Sequence, residues 1–96
     1  MWVLVTYDVS TESAEGRKRL RQVALACQDY GQRVQKSVFE CMVSQVQYEK
    51  LRHKLLQRIK PSEDSLRFYR LQEPREKSVE EFGVNGYVDF RDPLIT

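Results

Sequence analysis

Residues Trp2 to Val9 are almost entirely apolar, β-branched or aromatic, and that run predicts a strand. Ser10-Thr11-Glu12-Ser13 follows as a polar loop offering several helix-capping residues. From about Ala14 to Tyr30 the period changes. Leu20, Val23, Ala24 and Cys27 recur at helical spacing, and Gly31 stands where a helix often terminates. Arg33 to Val43 reads as strand again, either one bent strand or two joined by a tight turn near Lys36-Ser37. Gln45 to Ile59 predicts a second helix with Tyr48, Leu51, Leu55 and Ile59 on one face, and Pro61 enforces its end. Ser65 to Leu71 is a further strand. Glu73 to Phe82 is polar around Pro74, and Val84 to Phe90 predicts a last strand or a small hairpin about Asn85-Gly86. If Arg33–Val43 holds two strands, the order is βαββαβ with an appended C-terminal strand. That is the α+β, ferredoxin-like pattern.

Alternation along the first strand carries a consequence for assembly. Val3, Val5, Tyr7 and Val9 point to one face, while Trp2, Leu4, Thr6 and Asp8 point to the other. Two helices cover one face of so small a sheet, and the uniformly apolar set belongs under them. Trp2 and Leu4 then need another cover, with Asp8 beside them. A second copy of the chain would supply it, so a homodimer is expected, with the two Asp8 carboxylates near one another.

Composition narrows the class. Ninety-six residues make one small domain spanning 1–96, with 72–96 as a tail able to pair with another protomer. A 41% hydrophobic and 31% charged composition is that of a globular chain. No apolar run approaches the ~20 residues needed to span a bilayer, and the N-terminus lacks a basic leader. Two cysteines, Cys27 and Cys41, do not make a disulfide scaffold. A cytoplasmic domain with no membrane contact is expected. Net charge is only +2, but residues 1–60 hold eleven Lys/Arg against six Asp/Glu, and residues 61–96 hold five against eight. A basic body with an acidic tail is compatible with a polyanion partner.

Asp8 is the chief candidate for chemistry, because it ends an apolar strand at an edge where α/β-type domains place ligands. The plainer alternative is a carboxylate that accepts backbone hydrogen bonds from the Ser10-Thr11 loop. One carboxylate is a poor site for a hard cation, whereas two across a dimer axis suit Mg²⁺. Arg17-Lys18-Arg19-x-Arg21 lies near the start of the first helix, where the macrodipole favours anions; phosphate binding and a solvated helix face both explain it. Arg33 beside Phe39 suits nucleic acid if the ring is exposed and a packed core if it is not. His53 lacks any partner at ligand spacing and reads as surface, and Cys27 and Cys41 as buried thiols. Zinc spacings, a P-loop, a dinucleotide-binding glycine loop and a Ser-His-Asp set are all missing, which disfavours those chemistries.

Val5-Thr6-Tyr7-Asp8-Val9, then Arg17-x-Arg19, then Gly31-x-Arg33-Val34-Gln35-x-Ser37-Val38-Phe39-Glu40, resembles the CRISPR-associated protein two family. Asp64-Ser65-Leu66-Arg67-Phe68-Tyr69-Arg70-Leu71 fits the family's fourth strand, so the resemblance runs over roughly residues 1–71. It implies a ferredoxin-like fold with two strands in 33–43, and a homodimer whose paired Asp8 residues bind Mg²⁺. It implies a C-terminal strand, here Val84–Phe90, that pairs with the other protomer's sheet. By matching position, Arg17, Arg19, Arg33 and Phe39 are the residues around nucleic acid. The activity implied is a metal-dependent endonuclease acting on single-stranded RNA or double-stranded DNA in spacer acquisition with the CRISPR integrase. The alternative within the family is a non-catalytic, duplex-DNA-binding bridge between integrase dimers, and outside it a small regulatory ferredoxin-like dimer.

Overall fold

The computed structural model describes residues 1–83, so the expected strand Val84–Phe90 and the Asn85-Gly86 hairpin lie outside the described residues. Six main elements follow in order: β1 (Trp2–Asp8), α1 (Ala14–Gln28), β2 (Gly31–Gln35), β3 (Val38–Met42), α2 (Gln45–Arg58) and β4 (Ser65–Leu71). A short 3-10 helix, Arg75–Lys77, comes after them. The stretch 33–43 is therefore two strands, with the turn at Lys36-Ser37 where the polar residues break the run.

The sheet order is β2-β3-β1-β4 with every neighbouring pair antiparallel, the ferredoxin-like arrangement. β1 is central, and its paired positions run from Trp2 opposite Met42 and Leu71 to Thr6 opposite Val38 and Arg67. β4 continues further, setting Ser65 opposite Asp8. A register shift between Arg33 and Gln35 bulges β2 as it turns into β3.

Both helices start on serine caps. The Ser13 hydroxyl accepts from the Gly16 N–H at 3.0 Å, and Ser44 forms a full capping box with Gln47. α1 buries Val23, Ala24, Ala26 and Cys27, and α2 buries Tyr48, Leu51 and Leu55, so each helix lays one stripe on the same face of the sheet. That face carries Val3, Val5, Tyr7 and Val9 from β1 together with Phe39 and Cys41 from β3, as the alternation requires. Leu51 and Leu55 are fully buried, each contributing about 2 kcal/mol relative to exposure. Tyr48 meets Phe68 edge to face at 5.8 Å and carries the Arg70 guanidinium over its ring at 4.8 Å.

Gly31 serves a purpose other than the one its position implied. α1 ends on Asp29 in right-handed conformation, and among the described residues only Gly83 has a positive φ. Gly31 instead opens β2 against β3, where an added Cβ would lie 2.2 Å from the Glu40 carbonyl oxygen and 2.9 Å from the Cys41 Cα. Close approach of two backbones selects the glycine.

The opposite face is not bare at the Trp2 end. Trp2 is 1% exposed, and the groove it shares with Leu4, Val34, Val38 and Leu71 is also lined by Ser78 to Phe82 of the same chain. Arg75 ties that segment down by pairing with Glu40, a carboxylate that is otherwise buried on this face, and with Glu81. Burial of Trp2 thus needs no second copy of the chain, contrary to the expectation from strand alternation. Leu4 remains half-buried, and Met42 and Tyr69 on the same face are 41% and 40% exposed.

Candidate functional site

Asp8 is the last residue of the central strand and is exposed, on the face away from the helices. Among the described residues its carboxylate has no hydrogen bond and no ion pair. The loop-capping duty that would explain a strand-end aspartate falls to another residue. The Ser10 N–H donates to Asp64 Oδ1 at 3.1 Å, and Asp64 Oδ2 accepts from the Lys60 N–H at 2.8 Å. Arg19 completes the set with Nε to Asp64 Oδ2 at 2.8 Å and Nη2 to Oδ1 at 3.2 Å, a two-point charge-assisted contact. Asp64, with no exposed side-chain surface, joins the loop after β1, the body of α1 and the turn before β4.

The sequence-derived arginines consequently separate. Arg19 is committed to Asp64 and to Glu63 at 3.3 Å, with 14% of its side chain exposed. It holds the frame behind the site. Arg17 is exposed; its Nη1 donates to the Thr11 carbonyl at 3.1 Å, which leaves the rest of its guanidinium facing solvent beside the helix N-terminus. Arg33 is exposed and lies 5.2 Å over the Phe39 ring. Phe39 itself is fully buried, packed 6.3 Å from Tyr7 with an interplanar angle of 23°, so its ring supports Arg33 from within the core. Burial pushes the Tyr7 phenol above its usual value while Arg33 opposes the shift. Arg33 and Phe39 share the helix-side face with Tyr7, whereas Asp8 lies on the other. The fold does not gather the five residues into one pocket.

The Asp64 constellation was not legible as a site residue in the chain order, because Arg19 and Asp64 lie 45 residues apart. Arg19 bonding, opposed by burial, holds the Asp64 carboxyl below its ordinary value of 3.8. A folded-state pKa below the unfolded one contributes stability that is complete above pH ~4 and is lost as pH falls through the depressed value. The Asp64→Asn variant is expected to melt roughly 10 °C below wild type at pH 7. Its melting temperature should also change less between pH 7 and pH 3, because this titration is gone. Thermal melts across that range check both points.

Cys27 and Cys41 are both free and buried, and burial pushes each thiol up to about 12, so neither is a nucleophile. His53 is exposed, as its place off the apolar stripe predicts. Among the described residues no group of three or more His, Cys, Asp or Glu could hold a metal ion. A hard cation at Asp8 would thus meet no ready-made carboxylate cluster among the described residues of one chain. A carboxylate donor still suits Mg²⁺, which keeps most of its water and accepts one or two carboxylates. No helix among the described residues is long and apolar enough to cross a membrane.

Known proteins resemble the chain along most of its length. The family model described as CRISPR associated protein Cas2 matches residues 1–79. A curated relative from Moorella thermoacetica, the CRISPR-associated endoribonuclease Cas2 1, is 59% identical over 95 residues, covering 99% of each chain. The CRISPR-associated endonuclease Cas2 of Halalkalibacterium halodurans is 53% identical with the same coverage. Among solved structures, Streptococcus pyogenes Cas2 at pH 6.5 superposes with a TM-score of 0.79 and 54% identity, over 86% of this chain and 100% of that one. The ferredoxin-like sheet and the near end-to-end relatives agree, and the chain belongs to the CRISPR associated protein Cas2 family.

Proposed function

We propose that this protein is a Mg²⁺-dependent endonuclease of CRISPR adaptation, active as a homodimer in which the two Asp8 carboxylates share one metal site. The observation that carries the reading is an exposed, unpartnered Asp8 at the end of the central strand, in a fold where Asp64 already satisfies the neighbouring loop. An uncompensated carboxylate in that place has no structural task. Relatives named endoribonuclease and endonuclease supply the reaction class, hydrolysis of a phosphodiester in RNA or DNA. Half-buried Leu4 and the exposed apolar surface of Met42 and Tyr69 give a second copy something to cover on the Asp8 face.

When bound, Mg²⁺ would polarise the phosphate and lower the pKa of a coordinated water. The chain's own residues have simpler tasks. Asp8 supplies the negative oxygen ligand. Arg17, free on its solvent side, and Arg33, braced on Phe39, neutralise backbone phosphates and set the strand's path. Arg19 positions rather than binds, since its guanidinium keeps the β1–α1 loop in place through Asp64.

One observation favours a second reading. Among the described residues, Asp8 belongs to no group of three or more His, Cys, Asp or Glu that could hold a metal ion within one chain. A bridge subunit that holds duplex DNA for the CRISPR integrase needs no such group, and would bind DNA and integrase equally well without Asp8. Cleavage of single-stranded RNA and duplex DNA by wild type and Asp8→Ala, purified identically and assayed with Mg²⁺ and with EDTA, decides between them. Metal-dependent cleavage lost in the variant supports the nuclease. Equal cleavage in both preparations, or none in either, rejects it.

A further inference from the structure

We propose that the Glu40–Arg75 ion pair is a latch that holds residues 74–82 as a strap along the Trp2 end of the helix-free face, and that the strap must be closed before a second copy of the chain docks beside it. The second half rests on the homodimer reading above; the latch itself does not. Glu40 lies in β3, opposite Leu4 of β1 and Gln32 of β2, and is only 8% exposed. Neither of those neighbours carries a charge, and a buried carboxylate left uncompensated is costly. Compensation comes from a residue 35 positions further along the chain. Arg75 Nη2 donates to Glu40 Oε2 at 3.3 Å and its Nε donates to Oε1, a two-point contact. The same Nη2 reaches Glu81 Oε1. One guanidinium therefore clips the segment to the sheet and to its own far end.

Backbone bonding makes this clip matter. The N–H groups of Lys77, Ser78 and Val79 donate to the carbonyls of Pro74 and Arg75, so these bonds stay inside the segment and do not extend the sheet ladder. Chain that is bonded to itself opens locally at lower cost than a core strand. The groove beside it resists closure. Ser78 to Phe82 line that groove together with Trp2, whose indole Nε1 is buried without an acceptor among the described residues. A donor kept from water in this way favours the open position. The ion pair tips the balance towards the closed one, since breaking it strands the Glu40 carboxylate. A segment held by one charged contact against an opposing cost has two positions, and the pair selects between them.

Leu4 links the strap to assembly. It lines the groove together with Val79 and Phe82, is half-buried, and shares its face of β1 with Asp8, the face that a second copy covers. With the strap open, a docking copy has to order the segment as well as bury Leu4, and that ordering cost subtracts from the affinity. With the strap closed by the latch, the segment is ordered before the two copies meet.

Hydrogen exchange read by mass spectrometry, tryptophan emission and sedimentation over a dilution series test this on the full chain. Glu40→Met strands no charge, because Arg75 keeps Glu81. Arg75→Gln removes the clip from the other side. In both variants, peptides spanning 75–82 should exchange about tenfold faster than in wild type, with α2 peptides unchanged. Trp2 is the only tryptophan in the chain, and its emission should move to longer wavelength as water enters the groove. The dimer dissociation constant should rise about tenfold. Circular dichroism shows whether each variant is folded, and Glu40→Met decides the matter if Arg75→Gln is not. Wild-type exchange across 75–82 with wild-type emission in folded Glu40→Met overturns the latch. Faster exchange with dimerisation as strong as in wild type, or stronger, overturns the second half alone. A wild-type chain that is monomeric at every concentration overturns that half and the homodimer reading together, while the exchange rates still decide the latch.

Discussion

Asp8→Ala is expected to lower Mg²⁺-dependent cleavage by about 10²–10³-fold or more, with thermal stability close to wild type. The two halves of that result come from the same observation. Asp8 is exposed and bonded to nothing among the described residues, so folding loses little with its carboxylate. The substitution removes the negative oxygen ligand from both protomers at once. Nucleic-acid affinity in EDTA should stay at or above the wild-type value, because the change removes a negative charge near the phosphates. Subunit mixing sharpens the test. If one site needs both carboxylates, equal mixing of wild-type and Asp8→Ala subunits leaves about a quarter of the activity, as random pairing requires, whereas independent sites leave about half. Retention of half the activity would reject the shared site even if the single variant were dead.

Gly16→Ala should be the most damaging of the conservative changes to the frame. In an ordinary helix this substitution stabilises by about 1 kcal/mol, since alanine is the better helix former. Here the sign reverses. A Cβ at position 16 would stand 1.9 Å from the Ser10 carbonyl oxygen and 3.0 Å from its carbonyl carbon, both backbone atoms of the loop that follows Asp8. No rotamer change relieves a contact with backbone, so the loop must retreat by about 1 Å. Its retreat strains the Ser10 N–H bond to Asp64 and the Ser13 cap on the Gly16 N–H. A net loss of about 2–3 kcal/mol is expected, or roughly 10–20 °C in melting temperature. Cleavage below the melting range should fall as well, because the displaced segment carries Asp8 at its base. A stabilised Gly16→Ala protein would show that loop and helix are not packed this closely.

Read by periodicity alone, the chain already yields β1, α1, α2 and β4 close to their observed bounds, because each is a local matter. The β-branched run Trp2–Val9, the serine caps, the stripe Tyr48-Leu51-Leu55 and the stop at Pro61 act over a few residues. Val3, Val5 and Tyr7 under the helices likewise follow from the two-residue period of a strand. The family block around Arg33–Glu40 and the strand-end place of Asp8 were readable for the same reason, since both are short motifs in fixed order; that Asp64 and not Asp8 serves the Ser10 loop was not.

Contacts between distant segments were out of reach. Arg17 and Arg19 look equivalent in the sequence, yet Asp64 takes Arg19 into the frame and leaves Arg17 largely to solvent. Phe39, in the strand region that Arg33 precedes, reads first as a core ring and, only if exposed, as a stacking platform; the burial of the ring decides for the core. Gly31 and Gly16 owe their lack of a side chain to backbones that approach from β3 and from the loop after β1. Trp2 is buried within one chain, beside a groove also lined by residues 78–82, where a strand-by-strand reading had left its cover to a second chain. Sequence determined the elements and the lone carboxylate, because helix period, strand period and capping are set by neighbours along the chain. Tertiary structure decided which charges are neutralised and which stay available, because an ion pair depends on what lies within a few ångströms in space, and the register of β1 with β4 sets that distance.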